Sequence, residues 1–374
     1  MTTVTWIGYS MILRGVSLES LHPFAHGNHA TMTRFQTIAF IAFLACSAFY
    51  SPFVRATDLS KRTDDWFRSR QGKYALDCIL SWQTDHGDWP KNIDTSIELC
   101  SGDRSQLLGT FDNGATTGEL RALARAFELL GDTRYKDAYL RGFDHILHAQ
   151  YPNGGWPQYF PLRDGYYSRI TFNDHCMVRL LEFLREALKS RQDGLLNKAR
   201  RESAADAIDR GIHCILQCQV VVDGTPTVWC AQHDQVTLAP AGARTYELAS
   251  LSGSESAGVL KFLMHVENPS PDVVHAVKAG VQWFELAKIK GIRVEKIDGD
   301  RRVIQDPFAP PVWARFYEIE TNLPFFCDRD GVPKSALKDI GYERRNGYSW
   351  YGTWGESVAE AYSKWPYHSL QFQP

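Results

Sequence analysis

Residues Tyr151–Tyr159 read Tyr-Pro-Asn-Gly-Gly-Trp-Pro-Gln-Tyr, a turn-rich stretch between two segments with helical spacing of apolar residues. Immediately before it stands Ile146-Leu147-His148-Ala149-Gln150. The same Ile-Leu-x-x-Gln frame occurs at Ile79–Gln83 and Ile215–Gln219, so the three starts lie 67 and 69 residues apart. Each frame is followed by a glycine-containing turn and then a tryptophan: Trp89, Trp156 and Trp229. A period of this size marks a repeat architecture, and it decides the fold.

A second register agrees with the first. Gly142, Gly211 and Gly280 recur at intervals of 69 and 69 residues, each inside a predicted helix. Glycine weakens a helix relative to alanine, so three at one period point to close helix–helix approach. Leu120, Leu123, Phe127 and Leu130 give one apolar helix face; Met177, Leu180, Leu181 and Leu184 give another; Val259, Leu260, Leu263 and Met264 give a third. Each is followed by a partner helix. The pattern predicts an all-α dominated fold, a ring of about three helical hairpins whose equivalent loops gather at one end. Irregular and short β segments are expected in the loops and the C-terminal part, with a hairpin over 292–304 turning at Asp298-Gly299-Asp300.

With 374 residues, 44% of them hydrophobic, the chain can bury a large core. A formal net charge of −2 gives no field to gather nucleic acid, so acidic ligands must meet locally placed arginine and lysine. Arg34, the apolar run Ile38–Cys46 and the small-residue exit Val54-Arg55-Ala56 predict a signal peptide over 32–56. Residues 1–31 then read as an upstream extension from a misassigned start, and 57–374 as a single catalytic domain. The product is expected to be secreted, extracellular or periplasmic, with no stable membrane association after signal removal, and monomeric. Eight cysteines are present, Cys46 in the predicted signal. The seven others lack a zinc spacing and read as small buried thiols.

The first and second inner helices open with Asp112-Asn113 and Asn173-Asp174, the third near Glu255. Taken singly these residues suit helix capping. The repeat brings equivalent helix starts to one rim, where Asp112 and Asp174 could share a hard cation such as calcium or form an acid–base pair. The tail is rich in arginines among aromatics: Arg315, Arg329 and Arg344, with Trp313, Tyr317, Tyr348, Trp350 and Tyr351. Arginine pairs carboxylates with a planar fork, so this region reads as the wall of a cleft for an acidic sugar. Lys91 is a further cation. His233 reads as a ligand, a base or a hydrogen-bonded structural histidine. Cys176 stands at a helix start without a histidine partner for nucleophilic work.

These segments resemble the family 10 polysaccharide lyases, which are pectate lyases. The resemblance rests on Trp89-Pro90-Lys91-Asn92, Asp112–Thr116, Asn153–Gln158 with Pro161-Leu162-Arg163, Thr171–Asp174, Trp229–Glu255, Arg315–Asn322, Arg329-Asp330-Gly331 and Glu343–Gly352. It implies an (α/α) toroid and calcium-dependent, endo-type cleavage of α-1,4-polygalacturonate by anti β-elimination. It also implies that Asp112 and Asp174 hold Ca2+ and that Arg329 is the base taking the C5 proton. Arg315 and Arg344 would bind substrate carboxylates, with Lys91 and Asn113 beside them. Asp328 stands where the family pattern has glycine, and Gly87-Asp88-Trp89 where it has Gly-Gly-Trp. A terpenoid cyclase on the same ring and a non-catalytic galacturonan-binding protein are the competing readings.

Overall fold

The frame Ile-Leu-x-x-Gln ends an outer helix and fixes the turn after it. The indole N–H of Trp89 donates to the carbonyl of Ile79, that of Trp156 to Ile146 and that of Trp229 to Ile215, at 2.7–2.8 Å. The glutamine amide of each frame donates twice: once within its own turn and once to the next outer helix. Gln83 reaches Gly87 O and Ala138 O, Gln150 reaches Gly154 O and Ala207 O, and Gln219 reaches Thr227 O and Ala276 O. The indole bonds reach carbonyls in the last turn of each helix, where intrahelical partners run out, and the glutamine bonds tie each turn to the next outer helix. The device runs one unit further than the expected three, since the indole of Trp313 donates to Phe284 O.

The computed structural model describes residues 56–190 and 194–369. Nearly all of the expected signal peptide, and the extension before it, lie outside the described residues; those described belong to one unit, 53–374. Its helices are α1 (Asp64–Arg68), α2 (Arg70–Ser81), α3 (Thr117–Leu130), α4 (Thr133–His148), α5 (Cys176–Lys189), α6 (Lys198–Gln217), α7 (Gly253–Met264), α8 (Pro271–Leu286), α9 (Tyr342–Gly347) and α10 (Trp354–Ser363). Inner helices α3, α5 and α7 pack side by side, outer helices α4, α6 and α8 pack behind them, and α10 lies against α7 and α8. This is an (α/α) toroid.

The periodic glycines make that packing possible. A Cβ on Gly142 would stand 2.7 Å from Leu120 and 2.8 Å from the Gly87 carbonyl. On Gly211 it would stand 2.6 Å from Leu181, and on Gly280 2.7 Å from Leu260. The partner is in each case a leucine of the inner helix, so the lost helix propensity is offset by close packing.

Short antiparallel pairs tie the loops at the site end: Ile170–Thr171 with Gln232–His233, Leu251–Ser252 with Phe316–Tyr317, and Trp313–Ala314 with Tyr351–Gly352. The hairpin is formed by β1 (Ile292–Ile297) and β2 (Asp300–Gln305), turning on Asp298 and Gly299 at φ 50° and 83°. Both central residues at positive φ match a two-residue hairpin turn.

One expectation changes here. Trp313, Tyr317 and Trp350 are each 1% exposed and belong to the core, so they offer no stacking face to a cleft. Buried tryptophan and tyrosine need partners for their polar ends, and these have them in Phe284 O, Ala287 O and Arg344 O. The seven described cysteines are all free thiols, six of them buried, as the small-thiol reading expects.

Candidate active site

Two one-turn helices, Asp112–Gly114 and Asn173–His175, precede α3 and α5 and pack against each other. Their backbones are left-handed at Asn113 (φ 55°), Asp174 (φ 49°) and His175 (φ 61°). Asparagine and aspartate tolerate this conformation better than other residues with a side chain. The twist takes the carboxylates away from capping. The residues at the cap positions of α3 and α5 are Thr116 and His175, and neither makes a side-chain cap bond. Capping therefore does not explain Asp112 or Asp174. At the start of α7 the cap is Ser252, whose hydroxyl accepts the Glu255 N–H and donates to the Glu255 carboxylate.

Asp112 is 3% exposed. Its carboxylate accepts from the Lys91 ammonium, from Gln158 Nε2 at 2.7 Å and from the Asn113 backbone N–H at 2.8 Å. Burial works against the Lys91 charge, but the Asp112 carboxylate outweighs it and lifts the Lys91 pKa above its ordinary value. Asp174 is far more open, with 40% of its side chain exposed. It accepts from Asn173 Nδ2 at 2.8 Å, and Arg315 Nη2 stands 3.5 Å from its other oxygen.

A wall of alternating cations and rings rises on each side of the two turns. On the Asp174 side, buried Arg315 also pairs with Glu255 and lies 4.7 Å from the Tyr348 ring centre. Arg244 lies 5.9 Å from that ring and 5.0 Å from Tyr246. Arg344 and Arg329 follow, 4.6 and 5.8 Å from Tyr246. Glu247 holds Arg244 through both oxygens and accepts the Tyr348 hydroxyl at 2.7 Å. Glu343 accepts from Arg344 and Arg329, which hold its pKa down to about 2. On the Asp112 side, Lys91 lies 5.8 Å from the Tyr159 ring, and Arg163 sits 4.8 and 4.9 Å from the rings of Tyr159 and Tyr167.

The structure thus gathers Asp112, Asn113, Asp174, Lys91 and Arg315 around the two turns. Arg344 stands further along the same wall. Arg329 is placed at its outer edge, with 63% of its side chain exposed. Asp328 does not touch the Arg329 guanidinium; its carboxylate accepts the backbone N–H groups of Arg329 and Gly341. Gln158, Tyr159, Arg244, Glu247 and Tyr348 are also in the site, and Arg163 shares the Tyr159 ring with Lys91. Gln158 and Tyr159 belong to the opening stretch, which therefore closes over Asp112 as well as shaping the ring. Trp156, fully buried, packs in the core and holds the Ile146 carbonyl.

His233 is structural. It is fully buried, with Nδ1 bonded to Leu238 O at 2.8 Å and Nε2 accepting the Cys230 N–H at 3.2 Å. Burial pushes its pKa down to about 4. A histidine neutral in the fold but titrating near 6.5 when unfolded stabilises the protein fully above 6.5. That contribution is lost as pH falls from 6.5 towards 4. The expected loss, about 3 kcal/mol, is measurable by urea unfolding at the two pH values. The variant His233→Gln is expected to lose correspondingly less over the same range. Burial pushes the Cys176 thiol far up, so it is no nucleophile.

A family profile described as pectic acid lyase matches residues 83–359. The chain belongs to the pectic acid lyase family. Among solved structures it resembles a family 10 polysaccharide lyase from Cellvibrio cellulosa, at 36% identity and a TM-score of 0.74, covering 81% of this chain and 96% of that one. A mutant of a Cellvibrio cellulosa family 10 polysaccharide lyase in complex with trigalacturonic acid matches at 35% identity and a TM-score of 0.73, covering 83% and 99%. Comparison with curated protein sequences gave no match. Membership of this lyase family makes the chain a polysaccharide lyase and sets aside the cyclase reading.

Among the described residues, no three or more His, Cys, Asp or Glu side chains gather as a metal cluster. The hard oxygens at the two turns are the carboxylates of Asp112 and Asp174 and the side-chain amide oxygens of Asn113 and Asn173. This set suits a hard cation held in part by waters and by the carboxylates of an acidic substrate.

Proposed function

We propose that this lyase cleaves α-1,4-linked polygalacturonate by β-elimination, endo-type, with Ca2+ held by Asp112 and Asp174. The carrying observation is the pair of adjacent turns that free two carboxylates from capping, flanked by two walls of arginine and lysine. A galacturonan is a repeating carboxylate, and bidentate arginine recognition is the matching chemistry. The similar lyase crystallised with trigalacturonic acid supports the same substrate class.

Arg315 and Lys91 bind uronate carboxylates nearest the two turns, and Arg344 binds one further along. Asn113 helps orient the sugar. Calcium held by Asp112 and Asp174 would supply Lewis-acid chemistry, drawing charge from the carboxylate beside C5 and so acidifying the C5 proton. An arginine takes that proton, the electron pair forms the C4–C5 double bond, and the glycosidic oxygen leaves C4 with the pair of the broken bond. The leaving oxygen collects a proton from solvent.

The family resemblance gives the base role to Arg329. Position favours a second reading, Arg244. Arg244 shares the Tyr348 ring with Arg315, which touches Asp174, whereas Arg329 stands beyond Tyr246 and largely in water. The base must lie beside the sugar whose carboxylate is held at the turns, and Arg244 lies nearer. Burial works against the Arg244 charge, but the Glu247 carboxylate outweighs it, so the neutral form of that base is scarce at neutral pH. The rate is therefore expected to rise through the alkaline range. The test is the ultraviolet absorbance of the unsaturated product from polygalacturonate at pH 5 to 10, with and without calcium. A rate maximum near pH 5, or no dependence on calcium, contradicts the proposal.

A further inference from the structure

Arg163 differs from the arginines on the other wall. Arg244, Arg315, Arg329 and Arg344 each hold a carboxylate of the chain itself. Arg163 makes no ion pair and no hydrogen bond among the described residues, although its guanidinium is half-buried between Tyr159 and Tyr167. Two tyrosine rings at 4.8 and 4.9 Å steady the planar group and leave its in-plane N–H donors open to solvent. Such a group is ready for a carboxylate brought from outside.

Its surroundings give it room. Arg163, Tyr159, Phe160 and Pro161 line a cavity of about 280 Å³, closed on the other side by Leu107, Leu108 and the first repeat turn. Asp85 and Asp88 of that turn also line the cavity, with Arg104 beside them, and the Asp88 side chain, standing where the family pattern has glycine, is held by partners of the chain itself. Its carboxylate folds against Gly109, where a Cβ would come within 2.1 Å of it, and accepts the Thr84 hydroxyl. Exposed Leu108 and Leu162 add apolar surface beside the cavity, suited to a sugar's C–H face. Tyr159, on the cavity wall, has its ring 5.8 Å from the Lys91 ammonium, which pairs with Asp112.

We propose that Arg163, clamped by Tyr159 and Tyr167, is a carboxylate-binding subsite that extends the cleft beyond Lys91 and takes a further uronosyl unit of a longer chain. This rests on the galacturonan reading above. The subsite contributes binding and selects for chain length; it touches no reacting atom.

The test is the variant Arg163→Gln, which keeps much of the stem and loses charge and fork. Binding is measured by calorimetry for trigalacturonate, hexagalacturonate and the fully methyl-esterified hexamer, and KM and kcat are measured on polygalacturonate. The loss of one partly exposed bidentate pair is expected to raise Kd for the hexamer about tenfold. KM on the polymer rises in parallel while kcat, the trimer and the ester are unchanged. Equal weakening for trimer, hexamer and ester indicates a structural role and overturns the subsite, as does no weakening at all. If the wild type binds the hexamer without cleaving it, the lyase reading fails and the subsite is judged on the binding data alone. If the wild type binds no galacturonate, both fail.

Discussion

Arg244→Lys is expected to lower kcat on polygalacturonate about a thousandfold, within the range of a positioned base, while Kd for the polymer changes by only a few fold. Lysine keeps the charge but not the planar fork, so it cannot hold Glu247 and face the sugar together. Arg329→Lys is expected to act mainly on KM, because that side chain lies at the outer edge of the wall and is 63% exposed. Glu343 would then remain tied to Arg344 alone. The two variants separate the two readings of the base. A thousandfold fall in kcat for Arg329→Lys, with Arg244→Lys affecting KM alone, returns the base role to Arg329.

The second large effect concerns the two aspartates, which are expected to differ. Asp174→Ala is expected to lower kcat/KM about a hundredfold at low calcium, with part of that recovered as calcium is raised. Its stability should change little, because this carboxylate is 40% exposed and its closest bond is to the neighbouring Asn173 amide. Asp112→Ala removes a buried acceptor from Lys91, Gln158 and the Asn113 backbone together. It is expected to lose activity as strongly and also to cost about 1–3 kcal/mol of stability, read by urea unfolding. Added calcium does not restore that stability. Equal, calcium-insensitive losses for both variants would place the cation elsewhere.

The ring was legible because its determinants are local and repeated. Gln83, Gln150 and Gln219 bond their own turns and the next outer helix in the same way, so one frame in the sequence stands for one joint in the fold. The fourth joint escaped because Phe284 and Trp313 are separated by the β1–β2 hairpin, which breaks the period. Asp112 and Asp174 were readable as converging helix starts, although only backbone angles could show that they are released from capping. The arginine wall was readable in composition but not in order. Arg244 lies far in sequence from Arg315, and it is the Tyr348 ring between them that joins the two. Trp313, Tyr317 and Trp350 were misplaced for the opposite reason. Aromatic density suits a cleft or a core equally, and each of their polar ends found a backbone partner inside.

An elimination consumes no water at the broken bond, whereas hydrolysis does. The most direct measurement is cleavage of polygalacturonate in heavy-oxygen water with calcium at alkaline pH, with product masses and ultraviolet absorbance read together. Unsaturated products carrying no heavy oxygen, formed only when calcium is present, are the predicted result. Saturated products with one heavy oxygen per cleaved bond would show hydrolysis and contradict the account.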